Sequence, residues 1–282
     1  MPISTPDALW SSPAARRLRP VAVEIDGVRR RIGGDPVLDG VDLAIPAGAR
    51  VLVAGANPEA PSLLLRIMAG LARPESGSVT VAGLVPEASI SEGWARRVGY
   101  VGSDPGIPPW MTPAESLELA ARLAGIDGPQ RERLIDDALL RFQLGAIRDR
   151  PLRHAGRIVA ERTALAAAFL PDPEVLILDE PLRAHAQPDR LRLLRIAGER
   201  RTVLIASRYP AQEAGLVERV VLIRDGRVVL HAPVEELDAQ RLPLSIRGMT
   251  ALADLAMVGQ LSGEPAPADL PTDTSPPSDF VS

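Results

Sequence analysis

The sequence predicts an α/β protein with a mostly parallel sheet and flanking helices. Three short, continuous apolar runs carry this prediction, at residues 51–54, 175–178 and 203–206. Such runs are typical of parallel strands that are buried on both faces. Segments with apolar residues at helical spacing lie between them, and an alternation of strands and helices favours a parallel sheet.

Other segments predict antiparallel strands and additional helices. Residues 21–25 and 37–45 alternate between apolar and polar as strands do, and the runs 220–223 and 227–230 predict a hairpin around Asp225 and Gly226. Helical patterns cover 112–144 and 161–170, with shorter ones at 191–198, 234–237 and 249–257. The chain therefore combines a parallel core with smaller antiparallel and helical parts.

Composition limits the classes of function. The chain has 282 residues, of which 46% are apolar and only 3% aromatic, so we expect a largely aliphatic core. A net charge of −4 argues against a nucleic-acid partner. The absence of cysteine excludes disulfides and thiolate metal sites, and all 32 basic side chains are arginine. No apolar run approaches about 18 residues, so we expect a protein that does not itself span a membrane.

Both ends of the sequence differ in composition from the middle. Residues 1–20 are rich in proline, serine and alanine and lack the apolar segment of a secretory signal, so we expect a flexible extension and a cytoplasmic protein. Residues 263–282 are proline-rich and acidic and contain no basic residue, which predicts disorder. Between the main domain and this tail, 238–262 is expected to form a helical segment.

The loop after the first buried strand has the spacing of a phosphate-binding loop. The pattern G-x-x-x-x-G-K-[ST] needs two glycines, a lysine and a hydroxyl residue between a strand and a helix. Gly55 and Ser62 stand at the correct separation. Ala60 replaces the second glycine and Pro61 replaces the lysine. The spacing predicts an eight-residue loop with the frame of a P-loop but altered chemistry.

These replacements remove the groups that would hold phosphate. Pro58 and Pro61 have no N–H to donate, Ala60 adopts positive φ less readily than glycine, and Glu59 adds negative charge. Loss of the lysine contact alone costs about 1.5–3 kcal/mol. With the missing amide donors the loss exceeds about 4 kcal/mol, or about a thousandfold in affinity. Alternatively, a proline at this position simply begins a helix.

A pair of acidic residues follows the second buried strand. Asp179 and Glu180 stand at the carboxyl end of residues 175–178, where open α/β sheets bind their ligands. Two roles fit such a pair. The carboxylates could act in proton transfer or metal binding, or they could cap or hydrogen-bond the loop beside them.

The order of these segments resembles the ATP-binding subunit of ABC transporters over about residues 21–237. The resemblance rests on the stretches VLDGVDLAIPAG, LARPESGSVTVAG, RRVGYV, ALAAAFLPDPEVLILDEP, RTVLIAS and VERVVLIRDGRVV. It implies a P-loop ATPase-like fold with a mostly parallel sheet, an antiparallel β-subdomain and a helical subdomain inserted at about 104–160. Asn57 matches a common residue of the family's loop.

Most functional positions of the family are altered in this sequence. The resemblance assigns the metal-side carboxylate to Asp179 and the general base to Glu180, both retained. The segment that follows them, 182–186, has lost its aspartate. The other altered positions are the adenine-stacking aromatic at Ile32, the glutamine at Ser103, the signature serine at Gly156 and the switch histidine at Arg208.

Three functions follow from this combination. The first is a catalytically inactive docking or regulatory subunit at the inner face of the cell membrane, which binds a membrane permease through the cleft beside Ser103, another ABC ATPase subunit, or both, and needs no cofactor. The second is an ATP-hydrolysing subunit that uses ATP and Mg²⁺ with atypical ligands. Arg66 is a candidate for the lysine role there, although we expect it to point away. The third is a scaffold or regulator outside transport, with the acidic tail as its interaction segment.

The way in which two ATP-binding subunits pair in this family bears on the first hypothesis. In this family two subunits pair head to tail, and each ATP lies between one subunit's P-loop and the other's signature. This chain is altered at both, in Pro61 and in Gly156. It would therefore impair both sites of a mixed pair, even beside an intact partner.

Overall fold

The structure, a computed structural model, describes residues 20–86 and 91–261. The predicted extension at 1–20 and the predicted tail at 263–282 lie outside the described residues, except for Pro20. Both remain predictions.

Two sheets form the framework. Strands β1 (Val21–Ile32), β2 (Asp35–Pro46) and β4 (Ser76–Val81) make an antiparallel sheet in the order β2-β1-β4. The larger sheet has six strands in the order β5-β6-β7-β3-β8-β9. Its strands are β3 (Arg50–Gly55), β5 (Val98–Val101), β6 (Val175–Asp179), β7 (Thr202–Ala206), β8 (Arg219–Arg224) and β9 (Arg227–Pro233).

Five strands of the larger sheet are parallel, and β9 alone pairs antiparallel, with β8. The predicted fold class is therefore confirmed. The three apolar runs form the centres of β3, β6 and β7, where nearly every residue is buried, because helices cover both faces of this sheet. The carboxyl ends of these three strands meet at one edge.

The helices lie between and around the strands. They are α1 (Glu59–Met68), α2 (Glu92–Arg97), α3 (Pro113–Leu123), α4 (Gly128–Arg141), α5 (Arg157–Phe169), α6 (Gln187–Gly198), α7 (Val234–Ala239) and α8 (Ile246–Leu261). The stretch 112–144, which reads as one helical pattern, is two helices. A capping box between Thr112 and Glu115 begins α3, and Gly125, with positive φ, follows its end.

The segment between β5 and α5 forms a helical layer beside the sheet. Helices α3 and α4 pack on each other and on α5. Phe142, which follows α4, is fully buried and makes an edge-to-face contact with Phe169 at the end of α5, with 5.2 Å between ring centroids. This contact fixes the helical layer to the helix that leads into β6.

Candidate functional site

The loop between β3 and α1 is shorter than predicted. Strand β3 ends at Gly55 and α1 begins at Glu59, so only residues 56–58 separate them. The prediction of an eight-residue loop is wrong, because Ala60, Pro61 and Ser62 already belong to the helix. Ala60 is buried in the first turn and does not have positive φ, so the missing glycine creates no strain here.

The first turn of α1 has its amide donors removed or occupied. A helix normally begins with four N–H groups that have no partner within the helix, and these bind anions well. Pro58 and Pro61 lack the group. The N–H of Glu59 donates to Asn57 Oδ1 at 2.9 Å, and the N–H of Ala60 donates to the Asn57 carbonyl at 3.3 Å. Asn57 thus occupies the donors that the prolines have not removed.

The same residues narrow the space above the strand end. A Cβ placed on Gly55 would lie 2.9 Å from the Asn57 carbonyl oxygen and 3.1 Å from Pro61 Cδ, so only glycine fits. The cleft that remains has a volume of about 230 Å³, below the roughly 300–1,000 Å³ of ordinary small-molecule pockets. It is lined by Gly55, Ala56, Pro58, Pro61, Ser62, Glu180, Ala206, Ser207, Arg208 and Ile246.

Asp179 is bound by groups of the chain itself. Ser62 Oγ donates to Asp179 Oδ1 at 2.8 Å, which joins α1 to the end of β6. The Tyr100 hydroxyl, from β5, also hydrogen-bonds Asp179. Burial and the neighbouring Asp179 carboxylate raise the pKa of Tyr100 to about 12, so the phenol stays protonated and able to donate.

Glu180 is bound on the opposite side of the cleft. Its Oε1 accepts the N–H of Arg208 at 2.8 Å and lies 3.3 Å from Arg208 Nε, and its Oε2 lies 4.0 Å from Arg183 Nε. Glu180 and Leu182 both have positive φ, at 52° and 55°, although neither is glycine. Backbone strain of this kind persists only where surrounding contacts hold it. In this structure the contacts from Arg208 hold Glu180 against the loop that follows β7.

Comparison with known proteins identifies the family of the chain. The ABC transporter family model matches residues 38–183. The chain is 33% identical to a nickel import ATP-binding protein, NikO, of Rhodobacter capsulatus, over 78% of this chain and 92% of that one. It is 32% identical to an aliphatic sulfonates import ATP-binding protein, SsuB 1, of Mesorhizobium japonicum, over 83% and 85% of the two chains.

The chain belongs to the ABC transporter family, as an ATP-binding subunit. Solved structures agree on the fold. The structure of an ATP-binding subunit of an ABC transporter superposes with a TM-score of 0.71 at 21% identity, over 84% of this chain and 99% of that one. A nucleotide-free ATP-binding cassette superposes with a TM-score of 0.65 at 16% identity, over 78% and 94%.

The residues present do not fit the phosphates of ATP. No lysine faces the loop, two of the amides are prolines and two donate to Asn57. The fit to a metal ion is also poor, because the hydroxyl of Ser62 points its hydrogen at Asp179. Across residues 20–86 and 91–261, no cluster of three or more His, Cys, Asp or Glu side chains could hold a metal ion.

The structure brings only some of the predicted family positions together. Gly55, Pro58, Pro61, Ser62, Glu180 and Arg208 line one cleft. The remaining positions are not among the residues that line it. Ile32 ends β1 and is 47% exposed, Ser103 follows β5, and Gly156 precedes α5 with φ of 83°.

Arg157 connects the signature position to the glutamine position of this ATP-binding subunit. It is the first residue of α5, and its guanidinium donates to Glu161 Oε1 at 2.8 Å and to the Ser103 carbonyl at 2.9 Å. Glu161 is buried and accepts the N–H of Ala184 at 2.9 Å, and its Oε2 lies 3.3 Å from His185 Nδ1.

Burial raises the pKa of Glu161, but the hydrogen bonds from His185, the Ala184 N–H and Arg157 outweigh it and leave the pKa below its usual value. The ionised carboxylate therefore links Ser103 to the segment after β6. The i,i+4 spacing of Arg157 and Glu161 on one helix is the sequence signal for this contact.

Two further features of the site were missed from the sequence. Ile246, the first residue of α8, lines the cleft, so the C-terminal helical segment contributes to the cleft at the P-loop position. The charge of Arg66 lowers the pKa of Tyr100 against the larger effect of burial. Arg66 is exposed and is not among the residues that line the cleft, so the expectation that it points away from the loop stays a prediction.

Proposed function

We propose that this chain is a catalytically inactive ATP-binding-type subunit that serves a membrane transport complex by docking or regulation. The observation that carries the proposal is the occupied first turn of α1, where Asn57 takes the N–H groups of Glu59 and Ala60 between two prolines. A triphosphate would have to displace Asn57 and would still meet no ammonium group and no amide at Pro58 or Pro61.

The two retained carboxylates support the same proposal. Asp179 accepts from Ser62 and Tyr100, and Glu180 is paired with the backbone and guanidinium of Arg208. A general base must have a lone pair that faces the reacting water, and a metal ligand must face the metal. Here both carboxylates instead join neighbouring segments of the chain, which is a structural role.

Calorimetry with magnesium and ATP tests the proposal directly. We expect no saturable heat with the full chain at ligand concentrations up to the millimolar range. A dissociation constant in the low micromolar range would contradict it. Turnover above background that is abolished by Glu180→Gln would contradict it as well, because only a working base would show that dependence.

A docking surface for the permease lies beside Ser103. The segment that follows Ser103 is held to the helical layer by the N–H of Leu152, which donates to the Met111 carbonyl at 2.9 Å, and by that of Arg153, which donates to the Pro109 carbonyl at 2.7 Å. Trp110 is nevertheless 65% exposed. An exposed indole on a fixed loop is suited to anchor a protein partner.

Co-purification tests the docking. ATP-binding subunits of this family work with membrane permease subunits, and none of the helices that the structure describes is long and apolar enough to cross a membrane. We expect the tagged chain, solubilised from its native membranes, to carry an integral membrane protein, and Trp110→Ser to reduce the yield. Leu140→Ser, on the exposed face of α4, should leave the yield unchanged. Equal yields from all three proteins would reject this surface.

One observation favours ATP hydrolysis as the second candidate function. The charge of Arg66, one turn after Ser62 on α1, acts on Tyr100, which itself hydrogen-bonds Asp179. If it took the role of the missing lysine, Arg66→Gln would abolish ATP binding and Arg73→Gln, an exposed arginine beyond the helix, would not. Absence of binding in the unmodified chain rejects this candidate.

A further inference from the structure

A larger cavity lies at the opposite end of the sheet from the P-loop position. Its volume is about 380 Å³, within the range of small-molecule pockets. It opens at the amino ends of β3 and β7, so the length of β3 separates it from Gly55. Its walls come from α6 and the residues after it, from β7 and from the segment before β8.

The cavity has an apolar floor and a basic rim. Leu194, Val203, Ile205 and Leu216 are buried and supply the floor from α6, β7 and the segment before β8. Four arginines and two glutamates form the rim, which gives it a net charge of +2 on a chain whose overall charge is −4. The local charge is therefore opposite to that of the whole protein.

Two of the rim arginines have no ion-pair partner in the part of the chain that the structure describes. Arg50 pairs with Glu218, and Arg201 pairs with Asp172. Arg195 and Arg200 are exposed and make no ion pair with any residue of 20–86 or 91–261. Their guanidinium groups are available to an anion from outside the chain.

Arg201 makes the wall of the cavity rigid. Only 8% of this residue is exposed, and its guanidinium lies 4.5 Å from the centre of the Phe169 ring. Its Nη1 donates to the carbonyls of Ala197 and Glu199 at 3.1 and 3.0 Å. Those carbonyls lie at the C-terminal end of α6, where the negative end of the helix dipole would repel an anion. The positive charge of Arg201 offsets this repulsion. A fixed wall lowers the entropic cost of binding.

We propose that this cavity binds a small organic anion with an apolar body, such as a medium-chain carboxylate. The apolar floor receives the body, and Arg195 and Arg200 bind the acidic head by charge-assisted hydrogen bonds. The adjoining hollow of about 570 Å³ does not share this chemistry, because its four acidic side chains outnumber its three arginines. The site is separate from the P-loop position, so ligand binding there does not depend on nucleotide binding.

Titration of the full chain with hexanoate, followed by methyl NMR, tests the proposal. We expect saturable shifts at the methyl groups of Leu194, Val203, Ile205 and Leu216, none at the buried Leu64 of α1, and a dissociation constant of about 1 mM or lower. Hexanamide keeps the apolar body without the charge, and inorganic phosphate keeps the charge without the body. Each should bind at least about tenfold more weakly than hexanoate, because hexanamide cannot form the charge-assisted hydrogen bonds and phosphate has no apolar body to bury.

Paired variants decide the outcome. The double variant Arg195→Gln and Arg200→Gln removes two exposed guanidiniums without breaking an ion pair, so it should fold, and we expect at least about a tenfold loss of hexanoate affinity. The matched control, Arg73→Gln and Arg133→Gln, should bind as the parent does. The proposal is rejected if hexanoate does not shift the floor methyls, if hexanamide binds equally well, or if both double variants retain the affinity.

Discussion

Arg190 and Glu213 form a buried, bidentate ion pair beside the candidate site. Arg190 Nη2 lies 2.7 Å from Glu213 Oε1 and Nη1 lies 2.9 Å from Oε2, while Nε donates to the Pro181 carbonyl at 3.0 Å. Three segments are thereby joined, namely α6, the loop after Glu180 and the 3₁₀ turn Pro210–Glu213. The loops that follow β6 and β7 are therefore held together by contacts within the chain.

Loss of one partner of this pair should strongly destabilise the protein. Glu213→Gln leaves the Arg190 charge buried without compensation, and we expect a loss of about 3–5 kcal/mol in the free energy of unfolding. Urea denaturation measures it. Glu174→Gln is the control, because Glu174 pairs with Arg97 at the surface and should contribute less than about 1 kcal/mol. Equal losses in the two variants would show that the buried pair has no special structural role.

The Ser62 hydroxyl should stabilise the fold by its bond to Asp179. In Ser62→Ala the buried carboxylate loses one of its donors, and we expect the free energy of unfolding to fall by about 1–3 kcal/mol. Chemical denaturation measures this loss. The control Ser78→Ala, at an exposed position of β4, should change the free energy of unfolding little. If Ser62 instead served a metal ion, magnesium and ATP would stabilise the parent and not the variant. We expect no such difference.

His231 should make the protein sensitive to mild acid. Burial, together with the charge of Arg219, lowers the pKa of His231 to about 4 from its usual 6.5. The His231 imidazole therefore takes up a proton near pH 6.5 in the unfolded chain but only near pH 4 in the folded chain. The stability from the neutral imidazole is complete above pH 6.5 and is lost as the pH falls toward 4. The total loss is about 3 kcal/mol.

A substitution isolates this contribution from that of the carboxylates. Asp39, Glu161 and Asp189 have lowered pKa values and also lose stability in acid. We expect His231→Gln to remove the part of the decline between pH 6.5 and about 4.5, measured by denaturation at each pH. His154→Gln, which changes an exposed histidine, should keep the whole decline. A parallel pH dependence in the parent and His231→Gln would contradict the assignment.

The sequence predicts the framework of the site well because local patterns determine it. The apolar runs that became β3, β6 and β7 bury both faces, and that requirement is visible in composition alone. The end of β6 places Asp179 and Glu180 at the edge of the sheet that the pattern indicates. Asn57 before Pro58 and Glu59 is a helix-start signal, and it agrees with the observed start of α1 at Glu59, which the spacing of the P-loop pattern does not.

Other parts of the site depend on contacts between distant segments. Ile246 reaches the cleft only because α8 packs beside β8 and β9, and Arg190 meets Glu213 across a separation of 23 residues. Neither contact leaves a periodic pattern in the sequence. The basic rim near Arg195 and Arg200 likewise exists because a loop places several arginines around the ends of two strands. Such contacts between distant segments follow from the fold and cannot be predicted from local sequence patterns.

Rebuilding the loop should recover nucleotide binding if its own residues are the cause of the loss. The triple variant Pro58→Gly, Ala60→Gly and Pro61→Lys restores two amides, conformational freedom and an ammonium group. We expect binding of magnesium and ATP to become measurable by calorimetry, at least about a hundredfold tighter than any residual binding of the parent. The change also frees the N-terminus of α1 from its early start at Glu59, because glycine at 58 and 60 weakens that turn.

A matched variant separates charge from backbone in this experiment. Pro61→Lys alone adds the ammonium group and the single N–H at position 61, but it leaves Pro58 in place and Asn57 bonded to Glu59 and Ala60, so its affinity should rise by about tenfold or less. A gain in the triple variant but not in this one would assign the loss chiefly to the backbone donors. If neither variant binds, the obstruction lies elsewhere in the cleft, and Ile246→Ala combined with the triple variant would locate it at α8. Binding by the unmodified parent as tight as by the triple variant would refute the role we assign to Asn57 and the prolines.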